Sequence, residues 1–252
     1  MEVMAAPATE IEAAQPEVPA QGRTGRAGGV RARVRAELTA EIKEAARCQL
    51  AEVGAADLSL RAVARELGMV SSAVYRYFAS RDELLTALII DAYNALGAEA
   101  ESADAGVARA DLEGRFRAVG RAIRRWGLAH PYEYALIYGS PVPGYVAPDD
   151  TIAAASRTSL VLTGILADGH ASALGAPGAE LPEALRTELE RLGTQLGGDV
   201  PPPLLARGLT VWMGMFGAVS FELFGQLHNV VDERDALFEF ELDRWIGLLE
   251  LR

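Results

Sequence analysis

Hydrophobic residues recur every three or four positions along most of the chain, the spacing that places them on one face of a helix. The first such stripe ends before Gly54 and comprises Val34, Leu38, Ile42, Ala45, Ala46, Leu50 and Val53. Two short stripes follow, one after Ser59 and one from Ser71 to Phe78. Ser80 is predicted to cap a longer helix that extends to Gly97. Because no stretch alternates convincingly with the period two of a strand, the pattern predicts an all-α fold.

The remaining two thirds of the chain also have helical spacing. We predict a loop at 102–107, a rigid proline loop at 141–148, and helices over 108–130, 132–139, 150–170, 180–196, 203–228 and 233–250. The chain therefore divides into a small helical domain, 36–82, and a larger one, 83–252.

The residues before the first stripe have a different composition. Residues 1–21 are Ala, Pro, Glu and Gln with almost no large apolar side chains, so we expect a disordered acidic tail. Residues 22–35 are rich in Gly and Arg, which predicts a basic arm that is flexible at first and then merges into a helix.

Charge is segregated along the chain, although the net charge is −11. Residues 21–81 hold 11 Lys and Arg against 6 Asp and Glu, whereas residues 82–252 hold 13 against 25. A basic head before an acidic body is the asymmetry expected of a protein whose head binds a polyanion.

Several classes of protein are disfavoured by what the sequence lacks. A single Cys excludes an internal disulfide, and the three His show no metal-binding spacing, so we predict no metal site and no cofactor. The sequence contains neither a phosphate-binding loop nor a nucleophile elbow, so no motif of this kind supports an enzyme. No export signal is visible, and the apolar stretch 204–227 contains Arg207 and Glu222, so we expect a cytoplasmic protein without a membrane span.

The segment from Ser59 to Leu85, SLRAVARELGMVSSAVYRYFASRDELL, is the most informative. Two short helices joined at Gly68 are typical of a helix-turn-helix, whose second helix fits a DNA major groove about 12 Å wide. Ala64 is small enough for the helix crossing, and Val74 and Phe78 are predicted to point into the core. The remaining positions of the second helix present a small, hydroxylated and basic face.

This segment resembles the TetR/AcrR family of bacterial regulators. The match rests on the spacing of Ser59-Leu60-Arg61, Ala64, Gly68, Tyr75-Arg76-Tyr77-Phe78 and Arg81-Asp82-Glu83-Leu84-Leu85. Tyr77 replaces a frequent histidine and Arg81 a frequent lysine, and both can still donate to a phosphate. With the arm included, the predicted DNA-binding residues are Arg35, Ser59, Arg61, Val70, Ser71, Ser72, Tyr75, Arg76, Tyr77 and Arg81.

The C-terminal resemblance is looser. AHPYEYALIYG and VWMGMFGAVSFELFG are similar to a subfamily with a Trp-His-Gly signature, here Trp212-Met213-Gly214. This chain lacks the histidine of that signature, so the resemblance implies a dimeric sensor with a cavity and no particular ligand chemistry. The small and aromatic side chains of the last two helices predict a homodimer joined there, with a palindromic operator. The scarcity of charge among the residues expected around the cavity predicts a small apolar or aromatic effector that releases the protein from DNA. The predicted effector contacts are Trp126, Tyr134, Tyr138, Leu162, Leu166, Trp212, Met213 and Phe216.

The sequence alone leaves alternatives to these interpretations open. Tyr75 and Tyr77 can belong to an aromatic core, and the arm arginines can lack a specific role. The effector residues can fill a solid core, in which case the chain would be an architectural DNA-binding protein without a ligand. A helical enzyme is a third, less supported hypothesis.

Overall fold

The computed structural model describes residues 24–172, 181–197 and 200–251, and these ranges contain helices and no strand. Short 3-10 turns lie at Ala55–Asp57 and Asp149–Thr151. The α-helices are α1 Thr24–Val53, α2 Leu60–Glu66, α3 Ser71–Val74, α4 Arg81–Ala105, α5 Leu112–Ala129, α6 Pro131–Tyr138, α7 Ile152–Ser172, α8 Glu183–Gln195, α9 Pro202–Leu223 and α10 Arg234–Leu249. The predicted all-α fold is confirmed.

The chain divides into two units, residues 1–40 and 41–252. In the first unit α1 begins at Thr24, inside the segment for which a flexible arm is predicted. Arg31, Arg33 and Arg35 are exposed on this helix, and the Thr39 hydroxyl donates to the Arg35 carbonyl at 2.8 Å. The predicted acidic tail, 1–21, lies outside the described residues.

The second unit contains two hydrophobic cores. The smaller core joins α1, α2 and α3 to the start of α4 and includes Ile42, Val63 and Val74, none of which is exposed to solvent. The larger core is formed by the rest of α4 with α5 to α10. The smaller core extends along α4 to Leu88, past the predicted domain boundary at 82.

Helix α4 is longer than its pattern predicts because Gly97 does not end it. A Cβ on Gly97 would lie 2.7 Å from the Cβ of Arg157 on α7, so this glycine allows the two helices to approach closely. The helix continues to Ala105, and the predicted loop at 102–107 is correspondingly shorter.

A buried arginine connects three helices of the larger core. Arg115 on α5 is 3% exposed and donates to Asp104 on α4 and to Asp168 on α7, both at 2.7 Å. Hydrogen bonding to Asp104 is the main cause that raises the pKa of Arg115. Burial opposes ionisation of Asp168, but its hydrogen bonds to Arg115 and Arg109 lower the pKa of this carboxyl overall.

We predict that Arg115→Met destabilises the protein by about 3 kcal/mol, because two carboxylates lose the cation that compensates their burial. The matched change Arg117→Met, on the same helix and in the half-exposed pairs with Glu113 and Asp243, should cost no more than about 1 kcal/mol. Urea unfolding at neutral pH measures both.

The Arg115 contribution should also depend on pH. A carboxyl whose pKa is lowered by folding stabilises the folded state above its unfolded pKa, about 3.9 for Asp, and this stabilisation is lost as the pH falls through the folded value. The stability difference between wild type and Arg115→Met should therefore shrink at acid pH. Equal stabilities of Arg115→Met and Arg117→Met at pH 7 would contradict the assignment.

Candidate nucleic-acid interface and ligand cavity

The turn between α2 and α3 is fixed by a glycine in the left-handed region. Gly68 has φ +64°, its amide donates to the Arg65 carbonyl at 3.1 Å, and the Met69 amide donates to the Ala64 carbonyl at 2.8 Å. This pair of bonds is the Schellman motif that ends many helices, and a residue with a Cβ would be strained at Gly68. Ala64 is fully buried at the crossing, as predicted.

Helix α3 is shorter than predicted, since its regular α-helical part ends at Val74 rather than Phe78. The chain continues in turns, with Tyr77 and Phe78 amides both donating to the Val74 carbonyl. Val74 and Phe78 are buried, as predicted, so the turns still direct the residues between them outward.

The predicted DNA-binding side chains differ in exposure. Within the second unit, Arg61, Val70, Ser72, Tyr75 and Arg76 are exposed, with Val70 at 71%. Ser59 and Ser71 are half-buried where α2 and α3 begin. Tyr77 is half-buried and packs against the smaller core, in agreement with the alternative left open for it. Arg35 belongs to the first unit.

Arg81 makes contacts that the sequence does not predict. One guanidinium nitrogen, Nη2, donates to the carbonyls of Ala55 and Ala56 at 2.7 and 2.9 Å. The other terminal nitrogen, Nη1, lies 3.5 Å from Asp82. These contacts connect the start of α4 to the turn after α1, and the phosphate contact of Arg81 stays a prediction.

Gln49 is a second positioning residue, and the sequence analysis missed it. Its side chain is 5% exposed, and its amide oxygen accepts a hydrogen bond from the Ser59 backbone at 3.2 Å. A polar residue on the apolar face of α1 was the available signal, because a buried amide requires a partner.

A cavity of about 650 Å³ lies in the second unit between α4, α6, the loop 139–148, α7, α8 and α9. Its described lining includes no Asp, Glu, Lys, Arg or His. Apolar side chains form most of the wall, and hydroxyl groups come from Tyr93, Ser140, Tyr145, Thr151, Ser156, Ser159 and Thr163.

Three of the eight predicted effector residues line this cavity: Leu162, Leu166 and Trp212. The other five, Trp126, Tyr134, Tyr138, Met213 and Phe216, are not among the residues that line it.

Packing explains why these five side chains lie away from the cavity. Tyr134 is fully buried and its hydroxyl donates to the Phe216 carbonyl at 2.8 Å, while burial raises its pKa to about 12. Trp126 stacks on His130, and the Tyr138 and Phe216 rings pack 4.4 Å apart between centroids. Met213 is 59% exposed. Four of the five therefore fill the core, and the fifth faces outward.

The hydroxyls of α7 were also missed. Ser156, Ser159 and Thr163 follow helical spacing and face the cavity. The Ser156 hydroxyl donates to the Ile152 carbonyl at 2.8 Å. Thr163 is 6% exposed, and no hydrogen bond of its side chain is found in the described part of the chain. Polar residues on the inward face of a helix were the signal for this wall.

Comparison with known proteins identifies the group to which this architecture belongs. Residues 42–88 match the family model of bacterial regulatory proteins of the tetR family, and residues 116–245 match the tetracyclin repressor-like C-terminal domain. HTH-type transcriptional regulators of Mycobacterium tuberculosis and Mycobacterium bovis are 39% identical over 203 residues, covering 79% of this chain and 86% of theirs. The chain belongs to the TetR family of bacterial transcriptional regulators.

Solved structures agree with this TetR family assignment. The regulatory protein SCO4313 is 38% identical, covers 85% of this chain and 98% of its own, and superposes with a TM-score of 0.71. The TetR family regulator PfmR of Thermus thermophilus, 20% identical over 83% of this chain and 97% of its own, shares the fold with a TM-score of 0.53.

The TetR family consists of DNA-binding transcriptional regulators, which act as dimers on operators and respond to small molecules. The chain is accordingly a regulator and not an enzyme. In the described residues no three His, Cys, Asp or Glu side chains are grouped as a metal site would require.

We predict that Arg81→Ala lowers the stability of the helix-turn-helix by about 1.5–3 kcal/mol, the range for hydrogen bonds to a charged group. The salt dependence of DNA binding should stay the same, whereas loss of a phosphate contact would reduce its logarithmic slope by about 1. Thermal unfolding and DNA titrations at several salt concentrations measure the two effects.

Arg81→Lys is the matched control. It keeps the positive charge but cannot reproduce the guanidinium that reaches both carbonyls, so it should also destabilise the protein. A stable Arg81→Ala protein with a reduced salt slope would restore the phosphate role.

Proposed function

We propose that this protein is a homodimeric repressor, released from a palindromic operator when a small uncharged molecule enters the cavity. The observation that carries the proposal is the shared helix α4. Its start, with Leu84, Leu85 and Leu88, belongs to the core of the helix-turn-helix, and Ile89 and Tyr93, directly beyond, line the cavity. A ligand that repositions these two residues acts on the same rigid element that supports the DNA-binding helices.

DNA recognition is proposed for the exposed side chains of α2 and α3. Arg61 and Arg76 suit guanine through paired hydrogen bonds, Val70 suits a thymine methyl group, and Ser71, Ser72 and Tyr75 supply hydroxyls. Ser59, Tyr77 and, from the first unit, Arg35 are proposed phosphate contacts. Arg81 positions this surface through its carbonyl contacts.

The dimer is proposed to form through α9 and α10. In one subunit these helices expose large apolar side chains, including Met213 at 59%, Phe221 at 55% and Phe240 at 54%. A patch of this kind is typical of an interface between subunits. A two-fold axis there would require a palindromic operator.

Helix α9 also has the length and hydropathy to cross a membrane, the only one of the described helices that does. Core helices of other proteins pass the same test, and Leu204, Val211, Met215, Phe216 and Val219 of α9 are buried in the larger core. We therefore favour a core and interface role for α9, in a protein that works on the nucleoid in the cytoplasm.

The chemistry of the cavity favours an uncharged effector. An ionic group would lose its hydration there without meeting an opposite charge, at a large cost in free energy. Apolar walls with a few hydroxyl groups suit a largely hydrocarbon or aromatic molecule that carries a hydroxyl or carbonyl group. The alternative of an architectural protein without a ligand is less well supported, since it would be expected to have a filled core.

Selection of random DNA by the protein, followed by sequencing, tests the proposed operator recognition. We expect a palindromic site. Arg61→Ala and Arg76→Ala should each cost about 1–3 kcal/mol of binding and relax the preference at one base pair in each half-site. Arg65→Ala, on the same helix as Arg61, is the control and should select the same sequence as the wild type. A sequence profile unchanged by both Arg61→Ala and Arg76→Ala would contradict base recognition by these residues.

Displacement of the neutral dye Nile red by 1-decanol, decanoate and decylammonium tests the effector class. We expect the alcohol to bind at least tenfold more tightly than either ion, because only the ions require a partner charge. Thr163→Val should weaken alcohol binding about three- to tenfold, the effect of one neutral hydrogen bond. Ser156→Ala, whose hydroxyl is already bonded to Ile152, is the matched control. Tighter binding of an ion than of the alcohol would contradict an uncharged effector.

A further inference from the structure

The loop 139–148 separates the cavity from the core of the helix-turn-helix. Two of its side chains, Val142 and Tyr145, line the cavity and also pack against the smaller core. Leu136, on the last turn of α6, does the same. One wall of the cavity is therefore also the outer layer of the core that supports α2 and α3.

A tight turn holds Tyr145 in this position. The Tyr145 amide donates to the Val142 carbonyl at 3.1 Å, with Pro143 and Gly144 between them and Gly144 at φ +77°. Pro followed by a glycine of positive φ is the signature of a type II turn, in which proline presets the first central residue and glycine avoids strain at the second. The Tyr145 backbone is thus held rigidly, and its side chain extends from a fixed base.

The Tyr145 hydroxyl contacts α4 directly. It lies 2.9 Å from the hydroxyl of Thr86, which also donates to the Asp82 carbonyl one turn earlier. Thr86 stands beside Leu85 in the part of α4 that belongs to the smaller core, and it is not among the residues that line the cavity. The hydrogen bond therefore joins the Tyr145 hydroxyl, which belongs to the cavity wall, to the Thr86 hydroxyl, which does not.

We infer that Tyr145 is the coupling residue between the cavity and the DNA-binding helices. This inference rests on the proposed function. An uncharged ligand with a hydroxyl or carbonyl group can accept a hydrogen bond from the Tyr145 hydroxyl. The bond from Tyr145 to Thr86 is then lost, and the start of α4 is released from the loop. Ligand and operator then compete through one hydrogen bond, because the bond is intact in the state that binds DNA and broken in the state that binds ligand.

The variants Tyr145→Phe and Thr86→Val test this inference, since each removes one hydroxyl and keeps the shape of the side chain. Without any ligand, both should resemble the occupied state: operator affinity falls about three- to tenfold, the effect of one hydrogen bond. The double variant should be no weaker than either single one, because both remove the same bond. Tyr132→Phe, exposed on α6 and outside the cavity, should bind operator like the wild type.

Hydrogen exchange of the amides at 84–88 provides a readout that needs no DNA. In the wild type, saturation with Nile red should accelerate exchange there about three- to tenfold. In Tyr145→Phe and Thr86→Val exchange should already be fast, and the dye should change it by less than about twofold. Thr86→Val is decisive, since Thr86 does not line the cavity and can affect the ligand only through Tyr145.

Three results would overturn the inference: a wild type that does not bind the dye, exchange at 84–88 that the dye does not change, or variants that respond to the dye as the wild type does. A wild type that binds no selected DNA would instead overturn the proposed function. The exchange experiment would still decide whether Tyr145 connects the cavity to α4.

Discussion

Helix α4 packs into two hydrophobic cores with one continuous backbone, and the rest of the structure depends on this constraint. Leu84, Leu85 and Leu88 complete the core of the DNA-binding helices, whereas Leu96 and Ala100 belong to the larger core. A helix of 25 residues transmits a displacement along its whole length because its backbone hydrogen bonds resist bending. Any change in the larger core that shifts α4 therefore also shifts the support of α2 and α3.

Ion pairs join α4 to neighbouring helices at several positions along its length. Asp91 pairs with Lys43 and Arg47 of α1, and Glu101 pairs with Arg157 of α7. Hydrogen bonding to Arg157 lowers the pKa of Glu101. These contacts are partly exposed, so each adds little stability, but their directionality restricts how α4 can rotate. The Thr86–Tyr145 bond differs from them because one partner lies in the cavity wall.

Local features of the sequence predicted the helix-turn-helix better than the ligand cavity. Gly68, Ala64 and Ser80 act through their own conformational preferences or through neighbours close in sequence, and the structure has them as the pattern indicates. The structural contacts of Arg81 were not predicted because its partners, the carbonyls of Ala55 and Ala56, approach it only after α1 and α4 pack together. A charged side chain near a predicted DNA surface has the same sequence signature whether it binds a phosphate or a carbonyl.

The extent of the cavity could not be predicted for a related reason. Trp126 and Tyr134 were expected to surround a ligand, but both are buried in the closely packed larger core. The cavity exists where α7 and α9 present small residues, among them Ala155, Ser159 and Gly208. A sequence states the size of each side chain, but the volume left empty depends on how all the helices meet.

Charge segregation adds a second constraint, on how the protein meets DNA. The segment 82–252 carries twelve more acidic than basic side chains, whereas 21–81 carries five more basic ones. Phosphates repel acidic side chains and attract basic ones, so contact with DNA is electrostatically favourable through 21–81 and unfavourable through 82–252. Productive orientation is thus favoured before any base contact forms.

The same repulsion opposes tight nonspecific binding, because repulsion between phosphates and 82–252 offsets the attraction of 21–81 when the acidic segment faces the duplex. Since the cavity wall itself carries no described charge, entry of the uncharged ligand that we propose would leave this field unaltered. In the proposed mechanism, release from DNA therefore requires a change in the geometry of the DNA-binding helices, transmitted by α4 and its contact to Tyr145.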